Sequence, residues 1–316
     1  RERHDEHPAQ FGRISMIRRA AVLVAFAAAC ASAPPPSREF DATQAMRYVD
    51  QQLAFGPRIP GTAGHDAMGA WLDSLLRTRA DTVIIQAWTH TPVHGAPVQM
   101  KNYLARFNPT ATHRVLFLAH WDTRPISDGP NSKDRAAPVP GADDGASGVA
   151  VLLGMADALK KNPPGTGVDL LFVDGEDFGD FDAPGRPDVL VGARYYADHL
   201  PPGPLPAWAV LLDMVGHKHV SLSPEGYSVS AAPDVVERFW GMARTLGHAD
   251  VFPATPGGPI IDDHIELQRV GIRAIDVIDL NYDYWHTKED TADKLSVASL
   301  QAVGDVSMGM VRTEMP

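Results

Sequence analysis

The segment GVDLLFVDGEDFGDFD, residues 167–182, combines an apolar run with an unusually acidic turn. The apolar run has the length that is typical of a buried strand. The acidic residues that crowd the end of this predicted strand are Asp174, Glu176, Asp177, Asp180 and Asp182. Like charges at this spacing repel one another unless solvent or a positive charge lies among them. The segment alone therefore leaves two interpretations open, a solvated acidic loop and a metal site.

Predicted strands and helices alternate on both sides of this segment. The predicted strands are 81–88, 99–107, 114–120, 167–174, 207–216 and 272–280. The predicted helices are 41–55, 61–78, 145–161, 190–200, 232–247, 262–270 and 296–313. Such alternation is typical of an α/β sheet with helices on both faces. Ligands of these sheets bind beyond the carboxyl ends of the strands.

Histidine and carboxylate residues lie at that edge of the predicted sheet. They are His120, Asp122, Asp143, Asp144, Glu176, Asp177, Asp213 and His286. Each has an ordinary explanation by itself, such as a strand-end histidine or a turn cap, but their convergence indicates a metal site. Imidazole nitrogen and carboxylate oxygen are ligands of zinc, and a catalytic zinc site keeps one position open. No cysteine is placed to make a thiolate site, because the single one is Cys30.

Neighbouring residues in this set are expected to have different roles. Asp122, two residues after His120, could accept the second ring N–H of a ligating imidazole. Of the adjacent Glu176 and Asp177, one can bind the metal while the other stays free as a base. The histidines interpreted as surface residues are His199, His217 and His219.

The composition of the chain limits its size class and its partners. The chain has 316 residues, 44% of them hydrophobic and 21% charged, which fits one large globular domain or two small ones. The formal net charge is -11. Nucleic-acid binding needs a basic face, so no nucleic-acid partner is expected.

The N-terminal segment has the pattern of an export signal. In MIRRAAVLVAFAAAC, residues 16–30, two arginines precede a short apolar stretch. This stretch is too short for a typical membrane span. The residues before Cys30 resemble a bacterial lipoprotein box, in which the cysteine is lipidated and becomes the mature N-terminus; the alternative is an ordinary signal peptide. We therefore expect a periplasmic protein that meets the membrane only through a lipid anchor at Cys30.

These patterns divide the chain into four parts. Residues 1–15 lie upstream of the signal, lack an initiator Met and are interpreted as an over-extended start. Residues 16–29 are the predicted signal peptide, and residues 30–39 are a proline-rich linker. Residues 40–316 are the predicted catalytic domain. Removing residues 1–29 takes away five basic and three acidic residues, which changes the net charge from -11 to -13.

Six motifs carry a resemblance to a known family. They are AHWDTRP (119–125), GADDGASGV (141–149), FVDGEDFG (172–179), LLDMVG (211–216), IIDDHIELQRVGI (260–272) and YWHTKEDTADK (284–294). In this order they resemble the zinc aminopeptidase-like metallopeptidases, and more narrowly the bacterial glutaminyl-peptide cyclotransferases of the same fold. The resemblance covers about residues 40–313. It implies a single α/β domain with a mixed, mostly parallel central sheet flanked by helices.

The resemblance also implies roles for individual residues. The residues that match the single zinc site of the cyclotransferases are Asp144, Asp177 and His286. Those that match the general acid/base and the acidic hydrogen-bond network are Glu176, Asp213 and Asp262. The substrate-pocket residues are Trp285 and His120. In the two-zinc aminopeptidases of this fold, Asp144 would bridge two ions, and His120 and Asp213 would hold the second.

The implied activity is conversion of the N-terminal glutamine of peptides or proteins to pyroglutamate, with release of ammonia and with one zinc ion. The paired Asp262 and Asp263 resemble the cyclotransferases. Phe178 and Phe181 stand where animal cyclotransferases have a second pocket tryptophan, which keeps a two-zinc aminopeptidase open as the alternative. A third reading is a non-catalytic, lipid-anchored binding protein. The intact Glu176 and the intact ligand set argue against it.

Overall fold

A six-stranded mixed sheet forms the centre of the protein. The structure, a computed structural model, describes residues 39–314. The strand order is β1-β2-β4-β3-β5-β6. Strands β4, β3, β5 and β6 are parallel to one another, and β1 and β2 form an antiparallel pair at the β4 edge. The expected single α/β domain with a mixed, mostly parallel sheet is confirmed.

The strands are β1 Thr82–His90, β2 Val98–Phe107, β3 Arg114–His120, β4 Gly167–Val173, β5 Ala209–Asp213 and β6 Ala274–Ile278. The helices are α1 Ala42–Leu53, α2 Ala63–Arg77, α3 Ala146–Lys161, α4 Val191–Asp198, α5 Gly226–Ala231, α6 Pro233–Leu246, α7 His264–Arg269 and α8 Val297–Thr313. A short 3₁₀ helix, Ala292–Lys294, precedes α8.

Helices cover both faces of the sheet. Successive side chains of a strand point to opposite faces, and in the central strands the side chains on both faces are apolar. In β3, Val115 and Phe117 belong to the larger hydrophobic core, with residues of α1, α2, α3, α6 and α8. Leu116 and Leu118 belong to the smaller core, with residues of α4 and α7. Every residue of β3 is therefore buried. This explains why its sequence is a continuous apolar run.

Two local predictions need correction. Residues 226–231 form the short helix α5, which the sequence analysis missed; Glu225 begins it by accepting hydrogen bonds from two backbone N–H groups of its first turn. His217, interpreted as a surface residue, is buried: its ring nitrogen lies 3.1 Å from Asp279 and its ring stacks on Tyr282. A buried polar ring needs such a partner, which no local pattern reveals.

The predicted signal peptide, the linker and the lipidation site at Cys30 lie outside the described residues. Within residues 39–314, none of the helices is both long enough and apolar enough to cross a membrane.

Candidate metal centre

The carboxyl ends of the four parallel strands bring the candidate ligands to one edge of the sheet. His120 is the last residue of β3 and Asp213 the last residue of β5. The acidic turn follows β4, and Asp144 lies just before α3. His286 comes from the loop between β6 and α8. The side chains of the four named residues are buried.

Within the described part of the chain, the side chains form two possible metal-binding triads. One consists of Asp144, Asp177 and His286, and the other of His120, Asp144 and Asp213. In each triad, one ligand atom per residue lies within 4.8 Å of the others. Asp144 belongs to both triads, so the two possible sites share one residue.

The first triad fits a zinc ion. Nε2 of His286 lies 3.6 Å from Oδ2 of Asp144 and 3.4 Å from Oδ1 of Asp177. Ligand atoms bound tetrahedrally at the usual zinc distances are about 3.3–3.6 Å apart. Oδ2 of Asp144 is buried and has no hydrogen-bond partner within residues 39–314, and neither has the second oxygen of Asp177, Oδ2. Buried carboxylate oxygens of this kind are normally paired or bound to a metal.

The acids of the turn after β4 have separate functions. Asp174 accepts hydrogen bonds from Nε2 of His65 (2.9 Å) and from the backbone N–H of Lys101 (2.7 Å), so it anchors the end of the strand. Asp180 and Asp182 are exposed to solvent. Only Glu176 and Asp177 are both buried and oriented into the site, so the crowding of charge is smaller than the sequence suggests.

The role expected for Asp122 stays a prediction, and the structure adds a second role. Its carboxylate accepts hydrogen bonds from the backbone N–H groups of Glu176 (3.1 Å) and Asp177 (3.2 Å). Nδ1 of His120 lies 3.6 Å from Asp122, too far for a hydrogen bond. Asp122 therefore positions the turn that carries Glu176 and Asp177.

Asp128 and Arg124, which the sequence analysis missed, contact the first triad directly. Nδ1 of His286 lies 3.0 Å from Oδ1 of Asp128. Nη1 of Arg124 donates to Oδ1 of Asp177 over 2.7 Å. The only sequence signal was their position in the AHWDTRP motif and the turn after it.

Two residues of the site have left-handed backbone conformations. Met214, directly after β5, has φ 46°, and His286 has φ 52°. Such conformations are uncommon for residues other than glycine and persist where the surrounding structure holds them. At His286 the backbone N–H of Gly129 donates to the carbonyl oxygen over 3.0 Å, which helps to maintain this conformation.

A cavity of about 460 Å³ opens beside the two triads. Its lining includes Asp144, Glu176, Asp177, Asp213, Asp262, Trp285 and His286. Apolar residues also line the cavity, among them Ile260, Ile278 and Leu280. The combination of an apolar wall and a few convergent polar groups is typical of a site for a small ligand or a chain end.

Two pocket assignments have different outcomes. Trp285 lines the cavity and stacks on His286, with 4.0 Å between the ring centroids. His120 is fully buried and is not among the lining residues. It instead contacts Asp213 (3.1 Å) and Asp144 (3.2 Å), both of which do line the cavity.

Glu176 combines a cavity position with an environment that favours its protonated form. Its side chain is almost completely buried. Burial raises the pKa of Glu176 well above its ordinary value; the charge of His120 opposes this, whereas the charge of Asp262 adds to it. A carboxyl group in such an environment can both accept and return a proton.

Asp262 is a second buried acid of the cavity wall. Burial and the negative charge of Asp213 raise the pKa of Asp262 to about 7. Its carboxylate accepts the backbone N–H of Asp263 over 2.6 Å. The residue that begins α7 is Asp263, and the side chain of Asp262 makes no capping bond to the first turn within the described structure. A simple helix-capping role is therefore not supported.

Comparison with known proteins gives consistent matches. Residues 102–311 match the sequence profile of peptidase family M28. A solved glutaminyl cyclase from Bacteroides thetaiotaomicron, bound to N-acetylhistamine, is 33% identical, with a TM-score of 0.83 over 87% of this chain and 99% of that one. A leucine aminopeptidase precursor from the same species is 33% identical, with a TM-score of 0.84 over 87% of this chain and 98% of that one. The glutaminyl-peptide cyclotransferase-like protein of Mus musculus is 27% identical over 75% of this chain and 67% of its own length.

Proposed function

The chain belongs to peptidase family M28, and we propose that within this family it is a zinc-dependent glutaminyl-peptide cyclotransferase. The substrates would be peptides or proteins with an N-terminal glutamine. The products would be the pyroglutamyl chain and ammonia. Similarity to several solved bacterial glutaminyl cyclases supports this proposal.

The observation that carries the proposal is the position of Asp262. Hydrolysis of a peptide bond needs an activated water molecule and one base, for which Glu176 would suffice. Cyclisation also needs a group that holds the amide nitrogen while it leaves as ammonia. Asp262 lines the cavity, is almost completely buried and has a pKa of about 7, raised chiefly by burial, so it suits this second role.

The proposed mechanism uses the side chains of the cavity in sequence. The α-amine attacks the side-chain amide carbon of the glutamine, which forms the ring C–N bond. Glu176 takes a proton from the amine and passes it to the departing nitrogen, and the bond from carbon to that nitrogen breaks to release ammonia. Asp262 and Asp213 hold the N–H groups of the leaving nitrogen. Trp285 and the apolar wall exclude water, which favours cyclisation over hydrolysis.

We assign the zinc ion of this proposal to Asp144, Asp177 and His286. The chemistry that zinc supplies when bound is Lewis acidity toward the side-chain amide carbonyl. The support for the assignment is the distance from Nε2 of His286 to Oδ2 of Asp144 and to Oδ1 of Asp177. In addition, one buried oxygen of each carboxylate, Oδ2, has no hydrogen-bond partner within residues 39–314. The number of zinc ions is one in the cyclotransferase and two in the alternative.

The alternative is a two-zinc aminopeptidase. The completeness of the second triad, His120, Asp144 and Asp213, favours it, as does the similarity to the leucine aminopeptidase precursor. In that reaction Glu176 would activate water for attack on the first peptide bond. A non-catalytic binding protein is disfavoured, because both triads and Glu176 are intact.

One experiment separates these candidates. Purified protein is incubated with two peptides that differ only in the first residue, glutamine or leucine, and the products are followed by mass spectrometry and ammonia assay. A cyclotransferase releases ammonia from the glutamine peptide and leaves the leucine peptide intact. Release of free leucine without ammonia would instead establish the aminopeptidase.

Replacing Asp177 with Ala is expected to remove most of the bound zinc, because the change deletes one of three ligands. It also removes one of the two carboxylate partners of Arg124. Elemental analysis of the purified variant and wild type measures the effect. Equal zinc content in both proteins would refute the assignment of Asp177 as a ligand.

Membrane attachment through Cys30 is a further part of the proposal and rests on the sequence pattern alone. A Cys30→Ser variant is expected to appear in the soluble periplasmic fraction or to remain unprocessed, because it cannot be lipidated. Cell fractionation with immunodetection tests this. A wild-type protein that is already soluble and unlipidated would exclude the anchor.

A further inference from the structure

We infer that Arg124 and Asp128 are positioning residues that hold Asp177 and His286 in the orientation needed to bind the metal. As a result, the triad Asp144, Asp177 and His286 has a higher zinc affinity than the triad His120, Asp144 and Asp213. This inference rests on the zinc assignment made above. It concerns the affinity for the metal rather than the chemical step, so it can be tested without measuring turnover.

Asp128 sets the orientation of the His286 ring. Its Oδ1 accepts the hydrogen bond from Nδ1 over 3.0 Å, which leaves Nε2 facing Asp144 and Asp177. Metal-binding histidines usually donate their second ring N–H to a carboxylate or carbonyl in this way, which fixes the tautomer and makes the ligand more basic. The contact with Asp128 thus orients the His286 ring so that Nε2 points toward the other two ligands of the triad.

Arg124 connects Asp128 to the other ligand of the pair. Its Nε donates to Oδ1 of Asp128 over 2.6 Å and its Nη2 to Oδ2, a bidentate ion pair. Its Nη1 donates to Oδ1 of Asp177 over 2.7 Å and to the carbonyl oxygen of Gly179 over 3.0 Å. The guanidinium side chain is only 6% exposed. One rigid cation therefore determines the positions of two carboxylates around the metal site.

The backbone holds the same two segments together. Gly129, next to Asp128, donates its N–H to the carbonyl oxygen of His286. A Cβ atom at position 129 would lie 2.1 Å from the carbonyl oxygen of Trp285. This close approach requires glycine, and it places the segment that carries Asp128 directly beside the segment that carries His286.

The other triad lacks equivalent support. Nδ1 of His120 is buried without a hydrogen-bond partner anywhere in residues 39–314. The nearby Asp122 is already bonded to the backbone of the acidic turn. Nε2 of His120 lies at hydrogen-bonding distance from Asp213, 3.1 Å. Because only the triad Asp144, Asp177 and His286 has these supporting contacts, we expect it to bind zinc first as zinc is added.

The test is the zinc affinity of Asp128→Asn and Arg124→Lys, measured on the full chain by competition with a chromophoric chelator after removal of metal. Asn at 128 replaces one acceptor oxygen with an NH₂ donor and removes the negative charge. Lys at 124 has a single ammonium group, which cannot reproduce the two parallel hydrogen bonds that the guanidinium group donates to Asp128. Each variant is expected to bind zinc about 10–100-fold more weakly, the usual effect of losing such a supporting partner.

Asp134→Asn is the matched control, because Asp134 lies in the same loop region but is exposed and pairs only with Lys288 over 3.3 Å. Its zinc affinity should equal that of wild type. Saturating zinc should restore most of the ammonia release of Asp128→Asn.

The outcomes are distinguishable. Wild-type zinc affinity in Asp128→Asn and Arg124→Lys would overturn the positioning role while leaving the proposed reaction intact. A lower melting temperature of the metal-free protein with unchanged zinc affinity would likewise overturn it, because that result is expected of a purely structural role. A wild type that binds no zinc would refute the cofactor assignment itself.

Discussion

Replacement of Glu176 with Gln is expected to reduce ammonia release from a glutamine-initiated peptide by about two to four orders of magnitude, the usual contribution of a general acid–base group. Gln has nearly the same shape but cannot accept a proton from the attacking amine. Because Glu176 belongs to neither metal-binding triad, the variant should keep its full zinc content.

The measurement is kcat with saturating substrate and zinc, together with elemental analysis. Glu237→Gln is a suitable control, since Glu237 is exposed on α6 and outside the cavity; its kcat should be unchanged. Turnover of Glu176→Gln within a few-fold of wild type would exclude Glu176 as the base. Loss of zinc together with activity would instead mean that Glu176 is a ligand.

Replacement of Asp262 with Asn is expected to lower kcat for the glutamine peptide by about two orders of magnitude or more, with zinc content and fold retained. The amide cannot supply or share the proton that the leaving nitrogen needs. Asn is about as good a helix cap as Asp, and Asp262 makes no bond to the first turn of α7 within the described structure. The change therefore tests proton transfer rather than capping.

The rate of ammonia release at saturating substrate gives kcat, and thermal denaturation shows whether the fold is retained. A variant with normal zinc and near-normal turnover would contradict the cyclotransferase mechanism as drawn here. The same substitution in an aminopeptidase would leave hydrolysis of a leucine peptide largely intact, so parallel assays with both peptides show which reaction depends on Asp262.

Much of the fold followed from local patterns. The apolar run 114–120 predicted β3 with its exact bounds, because a strand that is buried on both faces has no polar alternation to obscure it. Asp41 was predicted to begin α1, and its carboxylate accepts the backbone N–H of Gln44. Helix α5 was missed, because its six residues are too few for helical periodicity to be visible.

The candidate site followed less completely. His120, Asp144, Asp177, Asp213 and His286 were predicted to converge because parallel strands end at one edge of the sheet, and the structure brings them together there. Their roles as ligands stay predictions until metal binding is measured. The hydrogen bonds of Asp122 to the backbone of the acidic turn were not predicted, because sequence proximity to His120 does not fix where a carboxylate points.

The amino-acid sequence by itself determined most of the strands and helices along the chain, because these depend on hydrophobic periodicity. It also determined the edge of the sheet at which the ligand-type residues gather, because this depends on chain direction. Only the tertiary structure decided which partner each buried group has. Asp128 and His286 are 158 residues apart in the chain, yet their side chains are 3.0 Å apart. That contact exists because two loops approach closely at Gly129, where any side chain would collide with Trp285. Such contacts depend on packing in three dimensions, and no local pattern in the sequence encodes them.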